Sequence, residues 1–74
     1  MKAEQTIIRI HTPHIKLGEF LKLCGAAQTG GEAKALITAG KAEVNGEVCL
    51  IRGKKLPPGT QVTVNNSKFI IHNA

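Results

Sequence analysis

Apolar and polar residues alternate along this chain with two different periods, and the changes of period mark its elements. From Ile15, residues Leu17, Phe20, Leu21 and Cys24 fall at i, i+3, i+4 and i+7, the spacing that lines one face of an α-helix. Gly25 follows and is placed to end that helix in a left-handed conformation. A second helix is better delimited. Thr29 and Glu32 have the spacing of a capping box, with Thr29 as N-cap. Ala33, Leu36, Ile37 and Gly40 repeat the apolar spacing, and Gly40 supplies the stop. The period then drops to two. Ala42 and Val44 precede Asn45-Gly46, and Val48 and Leu50 follow it, which predicts a β-hairpin.

The flanks are also patterned. "TIIRIH" (Thr6 to His11) is rich in β-branched residues and predicts a strand that Pro13 stops. After the hairpin, "RGKK" reads as a charged loop and Pro57-Pro58-Gly59 as a turn. "QVTV" and "KFIIH" then predict two closing strands around Asn65-Asn66-Ser67. The resulting order is β, α, α and four short strands. It predicts an α+β fold: two packed helices against a small, mainly antiparallel sheet, in a single domain spanning residues 1–74.

Composition narrows what such a module could do. With 74 residues, two Phe and no Trp or Tyr, the core must be built from Ile, Leu, Val and Ala. A large cleft between two lobes is out of reach. Ten Lys and Arg against five Glu give a net charge of +5, which favours polyanionic partners and nucleic acid above all. Cys24 and Cys49 lie far apart inside apolar runs, as expected of reduced core residues. The N-terminus carries Glu4 and lacks the apolar stretch of a signal peptide, and no run is long enough to cross a membrane. A cytoplasmic protein is expected.

Catalytic and metal chemistry find little support. Gly25 and Gly30 match the outer glycines of a phosphate-binding loop, but Gly31 and Glu32 stand where its Lys and Ser/Thr belong, and a helix leads into it. The chain has no Asp, and its glutamates form no local pair, so no enzyme is expected. His11, His14 and His72 lack a partner at metal-ligand spacing, so no metal or other cofactor is expected. The basic residues are more coherent. Lys34 and Lys41 share a face of the second helix, and Lys16 and Lys22 lie on the polar side of the first. Arg52, Lys54 and Lys55 cluster in the loop after the hairpin. Thr29 and Gly30 open the second helix, whose N–H groups could meet a phosphate.

The segment Lys16 to Val64 resembles the RNA-binding domain first seen in ribosomal small-subunit protein four, also called the αL RNA-binding motif. The resemblance is carried by "GEAKALITAGKAEVNG", similar to that family's helix, glycine, strand and "VNG" core, and by "LPPGTQVTV", similar to its closing "PGD-x-I-x-V" strand. A chain this short resembles the family's small single-domain bacterial branch. The resemblance implies binding to structured RNA, such as ribosomal or transfer RNA, as part of a ribosome or other ribonucleoprotein. By position it implies RNA-facing roles for Lys16, Lys34, Lys41 and Asn45. The chain departs from the pattern at Thr29-Gly30 (commonly Ser-Arg), Gly18 (commonly Asp) and Thr60 (commonly Asp).

Two functions follow. The first is a non-catalytic module that grips folded RNA through Lys16, Lys22, Thr29, Gly30, Lys34, Lys41, Asn45, Arg52, Lys54 and Lys55. The scarcity of aromatic side chains favours backbone and shape over stacking on exposed bases. The second is a protein-interaction adaptor that keeps the fold and has lost its RNA affinity, consistent with glycine at position 30. Neither reading needs a membrane or a small-molecule substrate.

Overall fold

A computed structural model describes residues 5–74; the segment 1–4, read above for a leader, lies outside them. The elements run β1 (Gln5–Ile10), β2 (Ile15–Lys16), α1 (Leu17–Leu23), α2 (Gly30–Thr38), β3 (Ala42–Val44), β4 (Glu47–Val48), β5 (Lys55–Leu56), β6 (Gln61–Val64) and β7 (Ser67–Asn73). Five strands form one sheet in the order β1-β7-β6-β3-β4, and β2 pairs with β5 as a separate ladder. Every pair is antiparallel except β1 with β7.

Alternation decides which side of the sheet is buried. Ile10, Ile71, Val62, Val64 and Ala42 point inward and are nearly inaccessible. They meet Leu17, Phe20 and Leu21 of α1 and Ala33 and Ile37 of α2 in one core. Phe20 and Phe69 pack edge to face across it, with ring centroids 6.0 Å apart at 79°.

The helix boundaries follow from their caps. Thr29 Oγ1 accepts a hydrogen bond from Glu32 N at 3.1 Å, as the capping pattern predicts. The reciprocal bond is displaced by one residue, because the Glu32 carboxylate accepts from Gln28 N at 2.6 Å rather than from the N-cap. Gly25 and Gly40 take φ of +86° and +76° just beyond the two helices. Asn45 and Gly46 both have positive φ, as a type I′ hairpin turn requires. Asn65 and Asn66 form a second turn with two positive-φ residues between β6 and β7.

Three expectations need correcting. The first helix begins at Leu17 rather than Ile15, since Ile15 and Lys16 pair with Leu56 and Lys55. Part of the "RGKK" loop is therefore strand, with Leu56 sealing the core beside it. The hairpin's return strand ends at Val48, so Val48 and Leu50 do not alternate into the core. Val48, Leu50 and Ile51 are 54, 64 and 64% exposed. Cys24 and Cys49 are both free, half-buried and packed against the core, Cys49 from the loop after β4.

Candidate nucleic-acid interface

Three segments distant in sequence meet where α1 begins. Lys16 carries no side-chain cap, so the free N–H groups of the helix start must find other acceptors. Leu17 N donates to the carbonyl of Lys54 at 2.9 Å, and Gly18 N donates to the carbonyl of Arg52 at 3.0 Å. These two bonds lock the loop between β4 and β5 onto the start of α1. They also bring Arg52 over Gly18, where its side-chain stem occupies the space a side chain on residue 18 would take. A Cβ at position 18 would lie 2.6 Å from Arg52 Cγ.

The junction borders an open cleft of about 330 Å³, lined by Lys16, Gly18, Glu19, Lys22, Gly30 and Arg52, together with Ala33 and Gly53. Three cations thus face one carboxylate across a floor partly made of glycine. Gly30 is the first residue of α2, so the electropositive end of that helix also borders the cleft. Glycine lets an anion approach the backbone closely, and a cleft rich in one sign of charge concentrates counter-ions.

A neighbouring pair adds to the charge. The register of β2 against β5 sets Lys16 opposite Lys55. Like charges directly opposite in a ladder are destabilising, by up to about 1 kcal/mol. An anion between them would relieve that repulsion.

The structure divides the residues expected from sequence. Lys16, Lys22, Gly30 and Arg52 line the cleft, and Lys55 adjoins it through Lys16. Thr29 caps the adjacent helix through its hydroxyl. Lys34 is an exposed residue of α2 outside the cleft lining. Lys41 lies beyond the helix, in a hollow with Glu43, Thr63, Asn65 and Asn66. Lys54 borders a different hollow, with Val48, Leu50 and Ile51. Asn45 performs a structural task. Its backbone N donates to Gln61 O at 2.7 Å and its side-chain Oδ1 accepts from Gln61 N at 3.0 Å, tying the hairpin turn to β6. Sequence reasoning passed over Gly18, Glu19 and Gly53 as parts of this surface. A detectable signal was present at Gly18, since glycine inside a first helical turn costs stability unless a close approach requires it.

The histidines stay apart from the cleft. His11 and His14 are exposed around the turn after β1, where Thr12 Oγ1 donates to His14 O at 2.7 Å, and His72 lies on β7. Among the described residues, no three His, Cys, Asp or Glu side chains gather as a metal site. No helix among them is long and apolar enough to cross a membrane. Burial pushes the Cys24 thiol above its usual value near 9.0, against the opposing influence of backbone hydrogen bonds.

A two-helix α+β module with a cationic, glycine-floored cleft at the junction of its helices is the class of protein these features define. Residues 8–72 match the family model described as S4 domain. The chain is 42% identical over 57 residues to the probable ribosome maturation protein RlbA of Bacillus subtilis (strain 168), covering 77% of this chain and 80% of that one. This chain belongs to the S4 domain family.

Proposed function

We propose that this protein is a non-catalytic RNA-binding module that acts in the cytoplasm on structured RNA of the ribosomal or transfer RNA class, in a ribosome-associated role. The observation that carries the reading is the convergence of Lys16 and Lys22, from the two ends of α1, with Arg52, from the loop between β4 and β5, on one cleft that glycines also line. Such a site holds phosphates by charge and backbone approach, and carries little sequence information. The relative's name, a probable ribosome maturation protein, supports the ribosomal setting. The excess of ten basic over five acidic residues supports a polyanionic partner.

The test is a salt titration with a structured ribosomal RNA fragment, comparing the wild type with Lys22→Glu/Arg52→Glu. The wild type should lose affinity steeply as salt rises, and the double variant should bind weakly with a salt slope reduced by about two. Equal binding by both proteins would sink the cleft as the site. The adaptor reading retains one specific observation, the exposed Val48, Leu50 and Ile51 beside Lys54. It gains ground if the wild type captures protein but no RNA from a lysate.

A further inference from the structure

The inward residues of the sheet are spent on the core, so their neighbours in β1 and β7 form an outer face on the side away from the helices. The parallel register between those strands sets Gln5 beside Lys68, Ile7 beside Ile70, and Arg9 beside His72. Arg9 and Lys68 are exposed, Ile7 is 47% exposed, and Ile70 and His72 are half-buried. Two cations and a histidine therefore surround an apolar pair, spread along roughly 13 Å of strand between Lys68 and His72. The carboxylate of this face among the described residues is Glu43, which lies two strands from Lys68 through Thr63. None of these outer-face residues lines the cleft at the start of α1.

We propose that this outer sheet face is a second RNA-binding surface, which takes the phosphate backbone of a separate RNA segment and lets one chain bridge two segments. The proposal rests on the RNA-binding reading of the cleft and extends it to the opposite side of the molecule. Charge complementarity carries it. Arg9 and Lys68 flank the Ile7–Ile70 pair, of which Ile7 is exposed, an arrangement that fits phosphates around a ribose edge. The molecule measures 32 × 29 × 22 Å, and its core separates the two surfaces. A straight RNA helix lying in the cleft cannot reach around that core to the sheet, so the second surface requires a second segment. A face without aromatic side chains cannot stack bases, so the contact is with the backbone and tolerates different sequences.

The test uses one short blunt-ended RNA duplex prepared with a donor dye and, separately, with an acceptor dye. Wild-type protein mixed with both should produce energy transfer that rises near stoichiometry and falls when protein is in excess. Arg9→Glu/Lys68→Glu should lose the transfer while its affinity for a single duplex at moderate salt changes by less than about threefold, because neither residue lines the cleft and screening limits the reach of their charge. Arg9→Gln/Lys68→Gln should weaken transfer in the same direction with a smaller perturbation of the strands, and thermal melting establishes that both variants fold. Transfer retained in both variants overturns the proposal and leaves the face to an acidic protein partner. Absence of transfer with wild-type protein that binds single duplexes overturns it equally. The cleft reading fails by a different result, namely Lys22→Glu/Arg52→Glu binding a single duplex as tightly as wild type.

Discussion

Arg52 lies across the bare backbone of Gly18, so close that a Cβ on residue 18 would come within 2.6 Å of Arg52 Cγ. The Gly18 N–H also donates to the Arg52 carbonyl at 3.0 Å. One glycine thus accommodates both the arginine's backbone and its side-chain stem at the edge of the cationic cleft. Gly18→Ala should swing the Arg52 side chain aside, because its contact is made near the root of the chain and cannot be relieved at the flexible tip. Alanine is otherwise the better helix former, so stability should change by less than about 1 kcal/mol. Affinity for structured RNA should fall about tenfold, equivalent to about 1.4 kcal/mol. Titrations of Gly18→Ala, Arg52→Ala and the double variant check this, and the double variant should be no weaker than Arg52→Ala. Additive losses would show that Gly18 acts independently of Arg52.

Lys16 and Lys55 face each other across the β2–β5 ladder. Lys55→Gln should therefore stabilise the free protein by about 0.2–1 kcal/mol at low ionic strength. Screening should erase most of the gain near 1 M salt, where the Debye length falls to about 3 Å. Thermal melts at two salt concentrations measure both effects. The same substitution should weaken RNA binding, so stability and affinity move in opposite directions.

Asn45 separates a structural role from a binding one. It holds a φ of +52° in the turn and accepts a hydrogen bond from Gln61 N. Asn45→Ala should destabilise the fold by about 1–3 kcal/mol, through the lost bond and the strain of positive φ. Denaturant unfolding gives that value. The salt slope of RNA binding, measured under conditions where the variant is folded, should stay the same.

Cys24 gives the fold an alkaline dependence. Burial raises its pKa, so the folded state holds the proton to higher pH than the unfolded chain does. The stability from the neutral thiol is complete below the unfolded value and is lost as pH rises through the folded one. The comparison is with Cys24→Ala, which removes this thiol alone. Wild type should lose more stability than this variant between about pH 8 and pH 10 in paired melts. Parallel curves would remove the thiol as the cause.

Much of the fold was legible because its signals are local. The capping pair Thr29 and Glu32, the stops at Gly25 and Gly40, and the Asn45-Gly46 turn each act within a few residues. Where an element depends on a distant partner, the local pattern misled. Leu50 continues the apolar alternation of the hairpin, yet it is exposed because the return strand stops at Val48. Lys55 looks like loop in "RGKK" and becomes strand because Ile15 and Lys16 lie beside it.

The site divides in the same way. Composition and charge pointed to a polyanion, and the helical pattern picked out Lys16, Lys22, Lys34 and Lys41 as a basic set. Periodicity assigns a residue to a face of its own element and says nothing about which faces meet. Lys34 and Lys41 lie outside the cleft, while Arg52, more than thirty residues beyond Lys16, enters it because the carbonyls of Arg52 and Lys54 cap α1. The sequence by itself determined the two helices, the hairpin turn, the first and last strands and the sign of the partner's charge, since these depend on residue type and short spacing. Only the tertiary structure decided which cations converge, that Gly18 is the bed for Arg52, and that Arg9 and Lys68 share an opposite face. Those relations arise from backbone hydrogen bonds and strand register across the chain, which no local pattern encodes.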